Sequence, residues 1–229
     1  MAQKQELSYA SFLQSDTVSL KSAKSERAFN MHRDLLASKS KAIISAFENG
    51  FKETETGIYE FEDVSEETLA YFIQWAYTGD YPALIYEPPS TDSLNNPLPP
   101  QLALYVFCNI YLVPDLKSIV FGRVVAATKL LDAPWRSCSS RILTDMLRYV
   151  FSLLLADDPV LEMLVQFAAY RIAELRQDDD FLELIRDLPA FEARLLGLLI
   201  GPKSPPWAAP IAIDFEYTWR PRSRHSKDI

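Results

Sequence analysis

The sequence has few of the residues on which most enzymes and metal proteins depend. Its 229 residues include two cysteines and two histidines. Two cysteines are too few for a disulfide framework or a cysteine zinc site, and they fit a reducing compartment. The sequence also contains no glycine-rich phosphate loop, no nucleophile elbow and no histidine pair spaced to hold a metal. We therefore expect no catalytic residues, no cofactor and no metal.

Basic charge and long apolar runs are also scarce. Lysine and arginine number 23 against 31 aspartates and glutamates, which gives a formal net charge of -8. An acidic chain repels phosphate groups, which argues against direct binding to nucleic acid or to an anionic membrane. The first twenty residues lack the apolar core of a signal peptide, and charges interrupt every apolar run well before the ~20 residues that span a bilayer. These features indicate a cytoplasmic or nuclear protein whose partners are proteins.

The chain has enough hydrophobic residues to form a buried core, since they make up 48% of the sequence. The stretch 29–79 predicts the order strand, helix, helix, strand, helix. Ser40 and Ser65 are placed to cap two of these helices, and Gly50 and Gly79 are placed to end them. This pattern favours a fold in which helices pack around a small sheet.

Two further strands and a short helix are predicted before this stretch. Residues 16–20 and 27–31 are separated by a polar turn, which favours a hairpin. Four apolar residues near the start of the chain favour a short amphipathic helix over residues 1–14: Leu7, Tyr9, Phe12 and Leu13.

Four segments, in this order, resemble the BTB/POZ domain, especially its fungal form: HRDLLASKSKAI, FKE, EFEDVSEETLAYFIQWAYTGDY and LYVFCNIYLVPDL. The resemblance implies an α+β fold in which a small β-sheet is flanked by a helical cluster, and we assign it to residues 15–132. It also implies a module for protein–protein interaction and oligomerisation.

The FKE triplet carries the most specific functional implication of the resemblance. In BTB adaptors of cullin-based ubiquitin ligases, a hydrophobic residue, any residue and a glutamate in this loop insert into the cullin scaffold. The resemblance places Phe51 and Glu53 in these positions. Because the triplet follows Gly50, we expect it on an exposed connection. Alternatively, Phe51 packs beneath the loop as an apolar staple and Glu53 is a solvated carboxylate.

The resemblance also implies a homodimer. Asp16, Arg33 and Asp34 resemble polar positions that line the dimer groove of some BTB transcription factors, although solvated or locally paired charges are an equal alternative. Many BTB proteins build the dimer from an N-terminal helix and an exchanged strand. Fifteen residues precede Asp16, which is room for the helix and little for the strand. A self-associating scaffold or a transcription-associated protein without cullin binding is therefore the alternative to an adaptor.

His32 opens the letters HRDL, which also occur in the catalytic loop of protein kinases. The kinase pattern needs an asparagine where this sequence has Lys39. The other histidine, His225, lies in a polar tail, so metal binding has no second ligand. We predict that His32 is a structural histidine that bonds to the backbone at a strand-to-helix junction. Cys108 falls on the apolar stripe of a predicted helix, so we expect it in the core.

The rest of the chain is divided by proline. Residues 82–100 are rich in proline and predict an inserted loop. Residues 133–204 predict an α-helical extension, in which the acidic run 178–180 marks a helix N-terminus. Residues 205–229 predict a terminal strand and a basic tail, because apolar and polar residues alternate over 211–219.

Overall fold

A computed structural model describes residues 9–48, 50–82, 98–132, 135 and 137–198. Most of the predicted proline-rich insertion lies outside these residues. The predicted strand at 211–219 and the basic tail also lie outside them.

The described part of the chain contains three strands, twelve α-helices and one 3₁₀ turn. The strands are β1 (Thr17–Ser22), β2 (Ala28–His32) and β3 (Ile58–Phe61). The helices are α1 (Tyr9–Phe12), α2 (Arg33–Lys39), α3 (Lys41–Ile44), α4 (Lys52–Thr56), α5 (Glu66–Thr78), α6 (Leu98–Ile110), α7 (Pro114–Asp132), α8 (Ser137–Leu153), α9 (Pro159–Tyr170), α10 (Ile172–Leu175), α11 (Asp179–Asp187) and α12 (Pro189–Gly197). The 3₁₀ turn covers Ser45–Phe47.

The sheet has the strand order β2-β1-β3. The first two strands form the predicted antiparallel hairpin, with Val18 opposite Met31. β3 runs parallel to β1, with Leu20 opposite Tyr59. Among the described residues, β3 is therefore paired on one side only. The α+β fold is confirmed, with a small sheet, surrounding helices and a helical region that follows them.

The helix starts predicted from Ser40, Ser65 and the acidic run are present, as is the helix end at Gly79. The helix end predicted at Gly50 is wrong, because α3 stops at Ile44 and the 3₁₀ turn that follows it stops at Phe47. The Ser40 side chain accepts a hydrogen bond from the Ile43 N–H, and Asp178 accepts one from Asp180. Ser65 caps α5 in the same way. Gly79 ends α5 at φ 80°, a left-handed conformation in which a side chain would be strained. These signals are local, because each cap bonds within four residues of itself.

One continuous core joins the sheet to the later helices. The Phe61 ring of β3 lies 5.9 Å from the Phe107 ring and 5.1 Å from the Tyr111 ring. Farther along the chain, the ring of Phe191 lies 5.5 Å from that of Phe151 and 5.8 Å from that of Phe181. The side chains of Phe61, Phe107, Phe181 and Phe191 are buried.

The structure differs from the sequence expectations in three elements. The expected connection after Gly50 contains the short helix α4, which Gly57 closes at φ 68°. The apolar repeat from Leu161 to Leu175 predicts one helix in the extension, but this helix is divided at Arg171 into α9 and α10. The Arg171 side chain binds Asp132 and Glu174. Helix α6 already begins at Leu98, because prolines are tolerated in a first helical turn. No helix in the described ranges has an apolar stretch long enough to cross a membrane.

Candidate protein-binding surfaces

Phe51 is the most exposed aromatic residue in the first half of the structure. Gly50 turns the chain at φ 71°, and Phe51 then adopts an extended conformation at the N-cap of α4. Its side chain is 57% exposed, and every other phenylalanine that the structure describes is buried or half-buried. The apolar staple is thus not formed. Phe51 and Lys52 are exposed as expected and Glu53 is half-buried, although the helix α4 replaces the irregular connection.

Glu53 is the second residue of α4 and is half-buried. A carboxylate in a first helical turn interacts favourably with the unpaired backbone N–H groups there. Burial raises the pKa of Tyr59 on β3, and the negative charge of Glu53 raises it further. The carboxylate of Glu53 therefore lies near enough to β3 for its charge to act on the tyrosine. Phe51 and Glu53 stand two positions apart at one helix end.

The surroundings of Phe51 are acidic. Glu48 and Glu55 are exposed on either side of it, and Lys52 is the one basic residue between them. An exposed aromatic ring within acidic residues matches a partner that has an apolar pocket and basic groups around it.

The partner of His32 differs from the prediction. His32 is a half-buried residue at the junction of β2 and α2, as expected. Its Nδ1, however, lies 2.7 Å from the Tyr77 hydroxyl, and its backbone N–H donates to the same hydroxyl at 3.1 Å. The predicted backbone partner is wrong, because the hydroxyl of α5 reaches this junction and the sequence neighbours do not.

A second surface was not predicted from the sequence. A groove of about 560 Å³ lies between β3 and the helices α6 and α8. We call it the β3 groove and define it by apolar residues with acidic residues at one end: Tyr59, Phe61, Phe107, Ile110, Tyr111, Tyr149, Leu153, Glu60, Glu62 and Asp63. Ile110, Tyr149 and Leu153 are exposed in it. Only the packing of α8 against α6 creates this groove, so no local pattern could indicate it.

Comparison with protein families assigns the first part of the chain. The family model of the BTB/POZ domain matches residues 10–87. A BTB/POZ domain is therefore present in this chain. BTB/POZ domains are modules for protein–protein interaction, and they often dimerise. No curated protein matches the chain closely enough for a second comparison.

Within the BTB/POZ domain, the predicted dimer-groove residues lie together at one end of the hairpin. The Arg33 N–H donates to the Asp16 carbonyl at 2.8 Å, and the Asp34 N–H donates to Ser15 Oγ at 3.2 Å. The Arg33 guanidinium donates to the Phe47 carbonyl. Asp16 and Asp34 are exposed. The arrangement thus leaves two carboxylates at the surface beside a half-buried arginine.

Cys108 lies in the core, as expected. It is 1% exposed, and burial raises the pKa of its thiol, so the reactive thiolate is disfavoured. In the described ranges, no three histidine, cysteine, aspartate or glutamate residues are close enough to share a metal ion.

Proposed function

We propose that this chain is a non-enzymatic BTB adaptor of the fungal type, which joins a cullin scaffold to another protein in the cytoplasm or nucleus. The supporting observation is the exposure of Phe51 at the start of α4, with Glu53 two residues later. When a partner covers an exposed phenylalanine ring and removes it from water, the free energy of the complex is lowered. Full burial of such a side chain contributes about 1.5–3 kcal/mol.

The acidic residues beside Phe51 favour a partner surface that carries basic groups. Glu48, Glu53 and Glu55 would meet basic groups on the scaffold, and such pairs act mainly on the association rate and on the choice of partner. The Phe51 ring would supply most of the affinity, because aromatic anchors in fitted pockets dominate interface energetics. Glu53 is half-buried and is held in the first turn of α4, so its position is fixed before binding.

The experiment measures binding of the full chain to the isolated N-terminal domain of a cullin. Phe51→Ala should weaken binding about thirtyfold, which corresponds to the ~2 kcal/mol of a typical anchor residue. Glu53→Gln should weaken it less and should lower the association rate. Leu196→Ala is the matched control, because Leu196 is also an exposed apolar residue (52%) but lies on α12.

Melting temperatures show whether the loss of binding arises at the site of substitution or from unfolding of the chain. Phe51 is exposed, so its replacement should leave the melting temperature within about 2 °C of wild type, since exposed substitutions typically cost under ~0.5 kcal/mol. Absence of binding by the wild-type chain at tens of micromolar would rule out the adaptor function. Equal binding by wild type and Phe51→Ala would rule out this site.

Self-association of the BTB/POZ domain is the second candidate. Leu13, just after α1, is 57% exposed, and it lies close in sequence to the exposed Asp16. An exposed leucine near charged residues is suited to an interface between two copies. Mass measurement in solution should then show a dimer that Leu13→Lys converts to a monomer. A monomeric wild-type chain at all concentrations would exclude this candidate.

A further inference from the structure

The β3 groove combines an apolar floor with an unpaired strand edge. Tyr59 and Phe61 of β3 face the groove together with Phe107 and Tyr111. β1 occupies one side of β3, and among the described residues no strand occupies the other. An open strand edge next to an apolar groove is a site at which an extended segment can add to a sheet.

Exposed apolar side chains form the far wall of the groove. Ile110 on α6 is 52% exposed and Leu153 on α8 is 46% exposed. Tyr149, one helical turn before Leu153, also faces the groove. A segment that covers these three side chains would remove from water an apolar surface that the described part of the chain leaves open.

The acidic end of the groove specifies the charge of the segment that fills it. Glu62 and Asp63, which follow β3, are exposed there, and Lys24 is the one basic residue that lines the groove. Glu60 also lines the groove, but its carboxylate lies 4.0 Å from Lys21 Nζ on β1. The fitting segment is therefore extended, apolar on one face and basic at the end that lies beside these carboxylates.

The chain itself contains a segment with these properties. Over 211–219 five apolar residues alternate with polar or small ones, which gives an extended segment one apolar face. Three arginines follow directly: Arg220, Arg222 and Arg224. A single strand is not stable in water without a partner, so this segment needs a sheet edge or an apolar surface.

The connection is long enough for the segment to reach the groove. Twelve residues (199–210) separate the last described residue, Leu198, from Ile211. An extended chain spans at most about 3.3–3.6 Å per residue, so these residues reach about 40 Å. A compact domain of this size has a radius of gyration of about 16–17 Å. The segment can thus cross the surface from the end of α12.

We propose that residues 211–219 dock into the β3 groove of the same chain as a fourth strand, parallel to β3. β3 runs from Ile58 towards Glu62 and Asp63, so a parallel strand places the arginines beside these two carboxylates. The apolar face of the segment covers Ile110, Tyr149 and Leu153.

Photo-crosslinking of the full chain tests the contact. A benzophenone amino acid at Phe215, on the apolar face, should crosslink to peptides that contain Ile110, Tyr149 or Leu153. The same group at Glu216 points away and is the matched control. Equal crosslinking from both positions, or crosslinks from Phe215 to other surfaces, would overturn the proposal. Crosslinks only between isotopically distinct chains would show that a second copy fills the groove, which also overturns docking within one chain.

Hydrogen exchange provides a second measurement. Amides of residues 211–219 should be protected in the wild-type chain, and Ile110→Lys with Leu153→Lys should increase their exchange at least tenfold. Leu130→Lys with Leu155→Lys is the control, because these leucines are 49% and 64% exposed and do not line the groove. Unchanged exchange in α5 shows that the variants stay folded. Unprotected amides over 211–219 in the wild type would overturn the proposal.

Discussion

The hydroxyl of Tyr77 anchors the junction between the sheet and the first long helix of the BTB/POZ domain. It accepts the His32 backbone N–H and lies 2.7 Å from Nδ1 of the same residue. The two rings also meet edge to face, with centroids 5.9 Å apart. One side chain of α5 therefore fixes both the backbone and the imidazole at the end of β2.

Tyr77→Phe should lower the free energy of unfolding by about 1–3 kcal/mol, because the ring remains and both hydrogen bonds to the hydroxyl are lost. Tyr71→Phe is the matched control on the same helix, since the Tyr71 hydroxyl bonds to Glu67 at an exposed position. That change should cost less than ~0.5 kcal/mol. Chemical denaturation of the three proteins measures both effects. Equal stability of the two variants would contradict the anchoring role of Tyr77.

At the residue scale, the sequence predicts the roles that depend on near neighbours. Gly50 indicates that Phe51 leaves the helix surface, and the structure places its ring in solvent. The partner of His32 could not be predicted, because Tyr77 lies 45 residues away and only the packing of α5 brings it near. The sites at Phe51, Glu53, Asp16, Arg33 and Asp34 stay predictions of partner binding.

Ser40 connects two elements as well as capping one. Its hydroxyl accepts the Ile43 N–H at 3.1 Å and donates to the Tyr111 carbonyl, 71 residues farther along the chain, at 2.7 Å. Ser40 is 1% exposed, so water cannot replace either bond. The start of α3 is thereby attached to the end of α6.

Ser40→Ala should therefore destabilise more than the loss of a cap alone, by about 2–3 kcal/mol, because the Tyr111 carbonyl also loses its donor at a partly buried position. Ser38→Ala is the control two residues earlier: Ser38 is exposed and bonds within α2. Its replacement should change stability by less than ~0.5 kcal/mol. Thermal unfolding measures both. A similar loss in both variants would show that Ser40 acts only through helix propensity.

At the element scale, caps were predictable because they are short-range. The break between α9 and α10 was not predicted. The Arg171 side chain at this break binds Asp132, 39 residues earlier, at 2.6 Å, and the local apolar repeat does not encode that contact. Helix α4 was also missed, since only the left-handed Gly57 distinguishes its sequence from a polar loop. The β3 groove depends on how α8 lies on α6, which no segment encodes alone.

At the scale of the whole molecule, a buried ion pair connects α7 to the start of α9. Lys117 Nζ lies 3.0 Å from Asp158 Oδ2 and 2.8 Å from the Asn109 side chain. Asp158 Oδ1 accepts the Tyr105 hydroxyl at 3.0 Å and caps α9 through the Val160 N–H. Burial and the Asp158 carboxylate raise the pKa of Tyr105, which keeps it a donor. The pair joins helices that lie beyond residues 10–87 and ties them into one core.

Removing one partner of this pair tests whether the chain unfolds as one unit. Lys117→Ala leaves the Asp158 carboxylate buried without its cation, which typically costs about 3–5 kcal/mol, or about a hundredfold to five thousandfold in the population of the open state. Lys129→Ala on the same helix α7 is the control, because Lys129 is exposed. Hydrogen exchange should speed up by the same factor in α5 and in α9 for Lys117→Ala, and in neither for the control.

Adding Asp158→Asn to Lys117→Ala distinguishes the effect of the unpaired buried charge from the effect of the hydrogen bonds that the side chain makes. The asparagine oxygen can still cap α9 and accept the Tyr105 hydroxyl, but it carries no buried charge, so part of the lost stability should return.

Equal acceleration of hydrogen exchange in α5 and α9 of Lys117→Ala would mean that the BTB/POZ domain and the later helices share one cooperative transition. Faster exchange in α9 alone would show that the later helices open independently. The BTB/POZ domain would then stay folded while the extension moves, and the β3 groove, which needs α8, would open and close with it.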